Sequence, residues 1–160
     1  MTYDDAAHYV AEHYNSYSRL PGIIELQRRM REVDWLRLLG EHWSHCDNVV
    51  CFAKQLRLRL PLRRPIEELM TRGEWAAYGA LPQAMTVYRG AGGEGGGGFS
   101  WTLERAVAVR FPTYARYRPA SLPTLFVAEI DKREILALKL DRDEAEVIAF
   151  KVRLVSEEPL

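Results

Sequence analysis

Glu144 and Glu146 are the residues of this chain best placed to do chemistry, and Arg89 and Ser100 stand upstream of them. Segment 145–150 reads as a strand, and residues two apart on a strand project the same way, about 6.5–7 Å apart. Two carboxylates on one face repel unless one of them meets water or a ligand. They are also what hydrolysis or transfer at an anomeric carbon needs. One carboxylate stabilises an oxocarbenium-like centre while the other takes a proton from the nucleophile. The plain alternative is a solvated charged face, and Glu129 and Asp131 show the same spacing.

Arg89 follows the strand-like residues Thr86-Val87-Tyr88 and precedes Gly90. A guanidinium at a strand end, followed by glycine, is free to meet a diphosphate through charge-assisted hydrogen bonds; otherwise it is a surface charge. Ser100 lies in Phe99-Ser100-Trp101-Thr102, where a strand gives way to a helix and a hydroxyl ordinarily serves as a cap.

Taken together, Val87-Tyr88-Arg89-Gly90, Phe99-Ser100-Trp101-Thr102 and Glu144-Ala145-Glu146-Val147-Ile148 resemble the Arg…Ser…Glu-x-Glu pattern of NAD-dependent mono-ADP-ribosyltransferases of bacterial-toxin and phage type. The resemblance covers roughly residues 84–155; the first eighty carry little of it. It implies an α+β ADP-ribosyltransferase-like fold, with a helical N-terminal part followed by two facing β-sheets around an NAD cleft. Arg89 would bind phosphate and the nicotinamide ribose, and the backbone of Gly90 would hold the nicotinamide amide. Ser100 would orient the ribose and the catalytic glutamate. Glu146 would hydrogen-bond the ribose hydroxyl and stabilise developing positive charge, while Glu144 would position or deprotonate the acceptor. Thr102 completes the hydroxyl pair and would belong with Arg89, Gly90, Ser100, Phe111 and Glu146 to the NAD-binding residues. Phe111, eleven residues after Ser100, matches the aromatic that packs on nicotinamide; a core phenylalanine is its other reading. Tyr114, Arg116 and Tyr117 fall where the family's nicotinamide loop would be.

Two departures stand out. The family's Ser-Thr-Ser is here Ser-Trp-Thr, and the turn 139–143 has no aromatic at its tip, where arginine-modifying members often carry one. The glutamate pair suggests arginine as acceptor; the turn does not. The resemblance implies an enzyme that moves ADP-ribose from NAD onto a macromolecule and releases nicotinamide. It would act as a toxin, effector or phage host-modifying factor. The acceptor would be a protein or nucleic acid, and an antitoxin or immunity protein is a further expected partner. The alternatives are an NAD glycohydrolase and an inactive binding module of the same fold.

The elements that must position these residues follow from pattern. Helices are expected over 4–18, 23–39, 48–60 and 66–78, with Pro21-Gly22 as a break, Gly40 as a stop and Asp47 or Asn48 as a cap. Strands are expected over 86–89, 99–101, 125–130, 135–138, 145–150 and 152–155, and a helix capped by Thr102 over 103–110. Helices first and strands second indicate an α+β chain rather than alternating βαβ units. One domain is expected over 1–160, with a helical subregion 1–80 and a β-rich core 84–155.

Composition excludes more than it assigns. The chain has 160 residues and zero formal net charge, so no global field favours nucleic acid. Gly90-Ala91-Gly92-Gly93-Glu94-Gly95 matches a dinucleotide fingerprint, but no βαβ unit surrounds it and no helix follows at once; a flexible flap is the better reading. His42, His45 and Cys46 would share a helical face, yet zinc sites usually draw ligands from two elements, and no metal is expected. Cys46 and Cys51 read as reduced thiols. Arg57, Arg59, Arg63 and Arg64 form a basic strip, read as a solvated face or as a contact to an acidic partner or to nucleic acid. No apolar run approaches a membrane span and the N-terminus is acidic. The expected location is the cytoplasm, or a target cell reached through a secretion machine.

Overall fold

The computed structural model describes residues 1–60, 66–92, 98–113 and 122–160. Two compact units follow one another along the chain, Met1–Ala76 and Ala77–Leu160. Among the described residues there are six α-helices and one antiparallel sheet of six strands, an α+β architecture.

The first unit holds α1 (Tyr3–His13), α2 (Arg19–Leu26), α3 (Glu32–His42) and α4 (Ala53–Arg59). Thr2 and Asp5 form a reciprocal cap at the start of α1, and Ala6 and Val10 turn into the core. The single helix expected over 4–18 stops at His13. Pro21-Gly22, expected as a break, lies inside α2. Pro21 is its third residue, within the first turn, where an amide has no partner to lose. Gly22 takes the ring of Tyr14; a Cβ there would stand 2.3 Å from Tyr14 Cε2. The helix expected over 23–39 is two helices joined by the 3-10 turn Gln27–Arg29 and an extended Met30, so Val33 faces out.

Gly40 is not a stop. It sits inside α3, where its Cα meets the backbone of the 3-10 turn Ile66–Leu69. A Cβ would lie 2.2 Å from the Leu69 carbonyl oxygen. Trp35, fully buried, donates its indole N–H to the Ile23 carbonyl at 2.8 Å and ties α3 to α2. The stretch expected as one helix over 48–60 opens as the 3-10 turn Val49–Phe52, with Asn48 left-handed at φ 58°, before α4 begins. Pro61, Arg63, Arg64 and Pro65 lie outside the described residues. Helix α5 (Arg72–Ala80) starts on a second reciprocal cap, between Thr71 and Glu74.

The second unit is built on the sheet. Its strands are β1 (Ala84–Gly92), β2 (Ser100–Thr102), β3 (Pro123–Asp131), β4 (Ile135–Lys139), β5 (Glu146–Ala149) and β6 (Arg153–Pro159), in the order β4-β5-β2-β1-β3-β6. The resemblance implied two facing sheets. Among the described residues the strands form one hydrogen-bonded sheet. The reason lies at its middle. Strand β1 pairs with β3 along its whole length, from Ala84–Asp131 to Gly92–Pro123, but with β2 only at Tyr88–Thr102. Among the described residues that one pair joins two three-stranded halves.

Val87, Trp101, Leu125, Phe126, Leu138 and Val147 are buried in this unit. Helix α6 (Arg105–Arg110) packs on β1 at Gly90, where a Cβ would lie 1.8 Å from the Ala108 carbonyl oxygen. Residues 93–97 of the glycine run, with Glu94, lie outside the described residues. No helix among the described residues is long and apolar enough to cross a membrane.

Two outcomes are expected in solution. Gly40→Ala gains about 1 kcal/mol in helix propensity, yet its new methyl meets backbone rather than a movable side chain. A net loss of about 1–3 kcal/mol is expected in urea denaturation. Burial pushes the Cys46 thiol up to about 12, partly offset by Arg19, and the thiol donates to the His42 carbonyl at 3.2 Å. Cys46 is therefore protonated at pH 8 in the folded chain, whereas Cys51 is exposed. Iodoacetamide followed by mass spectrometry should label Cys51 first, and both residues in urea. Below the ordinary thiol value of 9.0 the thiol is neutral in both states, and as pH climbs from there toward about 12 the unfolded chain ionises it first, so folded-state stability falls over that range.

Candidate functional site

The three strands β1, β2 and β5 bring Arg89, Ser100 and Glu146 together. Ser100 is opposite Ile148 in the β2–β5 ladder, and Thr102 is opposite Glu146. Ser100 and Glu146 are thus diagonal neighbours on one face, within reach of each other. The Ser100 hydroxyl donates to Glu146 Oε1 at 2.5 Å, and both side chains are half-buried. The bond fixes the direction of the carboxylate from the neighbouring strand.

Arg89 lies inside β1 rather than at its end, because β3 continues to pair beyond it as far as Gly92. Its Nη1 donates to the Ser100 carbonyl at 2.6 Å. Its guanidinium rests against Gly98, where a Cβ would be 2.3 Å from Cζ. One cation thus abuts the strand that carries the serine, on the neighbouring strand, and is half-buried.

Glu144 is placed differently from the expectation. It is not on the strand. Strand β5 starts at Glu146, and Glu144 follows the 3-10 turn Asp141–Asp143 with φ −99° and ψ −10°. Ala145 is left-handed at φ 41°, as are Arg142 at 70° and Asp143 at 54°. The two-residue alternation that would put both carboxylates on one strand face therefore does not apply. The reason is local: a left-handed residue between the glutamates turns the chain out of the pleat.

Thr102 also differs. Helix α6 begins at Arg105 with Glu104 before it, so Thr102 is not the helix cap. Its hydroxyl accepts from the Glu104 amide at 3.0 Å and donates to the Glu144 carbonyl at 2.5 Å. Gly90 is buried beneath α6. Phe111 opens the 3-10 turn Phe111–Thr113 at the end of α6 and is half-buried. Tyr114, Arg116 and Tyr117 lie outside the described residues.

Lys139 joins this row. It ends β4, is only 3% exposed, and is the direct ladder partner of Glu146 on the side away from Thr102. Ladder partners share a face of the sheet, so Lys139 stands beside Glu146 there. The one sequence signal was a lysine closing the apolar run Ile135-Leu136-Ala137-Leu138. Gly98 was hidden in the glycine run, and Ala145 carries no signal for a left-handed turn.

Among the described residues no group of three or more His, Cys, Asp or Glu side chains is placed to hold a metal ion. His42 is half-buried; burial lowers its pKa below the usual histidine value, with Arg19 adding to the shift. Comparison of the chain with protein-family models, with curated proteins and with solved structures returned no match.

The left-handed Ala145 makes one substitution decisive. Ala145→Val forces a β-branched side chain into that region and should cost about 1–3 kcal/mol in urea denaturation. Ala145→Gly should stay within about 1 kcal/mol of the parent, since relief of strain and extra unfolded-state entropy oppose each other.

Proposed function

We propose that this chain is a mono-ADP-ribosyltransferase that uses NAD as substrate, on an ADP-ribosyltransferase-like fold. The observation that carries the reading is the Ser100 hydroxyl on Glu146 Oε1 at 2.5 Å, beside an Arg89 guanidinium that meets the same strand. A carboxylate held by a serine, close to one half-buried arginine, suits a substrate with a diphosphate and a cationic ribosyl–pyridinium bond.

In this reading Arg89 receives the diphosphate and Ser100 holds Glu146 toward the nicotinamide ribose. Glu146 accepts from a ribose hydroxyl and stabilises positive charge as it builds at the anomeric carbon. The bond from that carbon to the pyridinium nitrogen breaks, and its electron pair leaves with nicotinamide, which departs neutral. A lone pair of the acceptor forms the new bond, and the acceptor's proton passes to Glu144. The acceptor is a macromolecule, protein before nucleic acid, and the biological role is that of a toxin, effector or phage host-modifying factor with a neutralising partner.

A second reading is NAD glycohydrolysis, with water in place of the acceptor. It draws on Glu144 lying off the strand, and on Leu140, not an aromatic, being the exposed apolar side chain next to the turn. An inactive binding module would have no use for the short Ser100–Glu146 bond.

Nicotinamide release from NAD tests the reading, with and without cell lysate. Glu146→Gln should lower it by about 10²–10³-fold. Glu144→Gln should keep release and lose labelled protein in intact-mass analysis. Folded wild-type protein that releases no nicotinamide under either condition would falsify the enzyme.

A further inference from the structure

We propose that Thr102 is a positioning residue that sets how the cleaved ADP-ribose is partitioned between an acceptor and water. The proposal rests on the reading of Glu144 as the acceptor-side base, and it follows from how differently the two glutamates are held.

Glu146 is anchored several times over. It stands in β5, paired with Thr102 on one side and Lys139 on the other, and its carboxylate takes the Ser100 hydroxyl. Glu144 stands in no strand. It lies between left-handed Asp143 at φ 54° and left-handed Ala145 at φ 41°, in a conformation that L residues reach at a cost. Such a turn keeps its shape only if its surroundings over-determine it. Two bonds from the end of β2 do so. The Thr102 hydroxyl donates to the Glu144 carbonyl at 2.5 Å, and the Leu103 amide donates to the Ala145 carbonyl at 3.2 Å. Thr102 is 7% exposed, so its single O–H is committed to that carbonyl rather than shared with bulk water. The same oxygen accepts the Glu104 amide, which ties the turn to the residue that leads into α6.

Removing the hydroxyl therefore loosens the turn at Glu144, which keeps only the Leu103–Ala145 bond, and leaves the Ser100 bond to Glu146 in place. Cleavage itself needs only Glu146: the anomeric carbon–nitrogen bond breaks and its electron pair leaves with nicotinamide. Transfer needs more. A guanidinium acceptor is cationic and acquires a nucleophilic lone pair only when it gives up a proton, which a fixed Glu144 carboxylate can take. Without that carboxylate in position, a water oxygen bonds to the anomeric carbon and its proton goes to solvent. Thr102 thus favours transfer over hydrolysis without touching the reacting atoms.

Thr102→Val keeps shape and strand preference while deleting the hydroxyl; Thr102→Ser restores it. With NAD and agmatine, a small guanidine, the fraction of cleaved ADP-ribose that ends on agmatine should fall about tenfold in Thr102→Val, the size of one lost hydrogen bond, at whatever rate nicotinamide is released. Thr102→Ser should recover most of that fraction. Without NAD, hydrogen exchange over 140–146 should rise in Thr102→Val and not in Thr102→Ser. An unchanged partition, a parallel loss of release and transfer, or unchanged exchange overturns the proposal. So does a wild type that hydrolyses NAD and never modifies agmatine. A wild type that releases no nicotinamide removes the enzyme reading and the partition with it, and the exchange measurement still reports separately whether Thr102 holds the turn.

Discussion

The hydroxyl of Ser100 and the carboxylate of Glu146 meet because β2 and β5 run antiparallel in a register that puts Ser100 opposite Ile148 and Thr102 opposite Glu146. A one-residue slip would turn both hydroxyls to the other face and bring Trp101 to the carboxylate. Trp101 prevents that slip. It is 2% exposed, and burying a side chain of that size on the opposite face outweighs what any single surface contact returns. Its indole N–H, donating to the Gly98 carbonyl at 3.1 Å, fixes the start of the strand as well. The middle residue of Ser100-Trp101-Thr102, which departs from the family's pattern, is thus what sets the register of its two neighbours.

Much else in the second unit depends on that three-residue strand. Among the described residues one pair joins it to β1, and the Arg89 guanidinium adds a side-chain bond to the Ser100 carbonyl next to that pair. On its other edge it holds β5, and its last residue, Thr102, clamps the turn before Glu146 together with Leu103 just beyond the strand. The turn is strained at three non-glycine residues, and strain of this kind persists only where bonds from outside compensate for it. The sheet is therefore strongest away from the candidate site, along β1–β3 and β3–β6, and narrowest at it.

Glycine marks close approach in both units, not only turns. Gly40 admits the Leu69 backbone to α3, Gly90 admits the Ala108 carbonyl to β1, and Gly98 admits the Arg89 guanidinium. None of the described glycines has a positive φ. The left-handed positions are taken instead by Asn48, Leu122, Arg142, Asp143 and Ala145. Rules that read glycine as a stop or a turn therefore err here, because its missing Cβ was needed for packing rather than for conformation.

Sequence alone determined the order of elements, helices first and strands second, since apolar periodicity is a local property and most of the strands lie where alternation places them. It also determined which residues form the candidate site, since Arg89, Ser100 and Glu146 each sit in a recognisable local phrase. Tertiary structure decided the rest. The single sheet in place of two facing ones depends on one cross-strand pair between residues fourteen apart in sequence, Tyr88 and Thr102. The removal of Glu144 from the strand depends on a left-handed alanine, whose side chain carries no conformational signal. The ladder position of Lys139 beside Glu146, and the reassignment of Thr102 from helix cap to turn clamp, depend on partners that only β-sheet pairing brings near. Periodicity reports which face a residue occupies; it carries no information about what lies across the ladder.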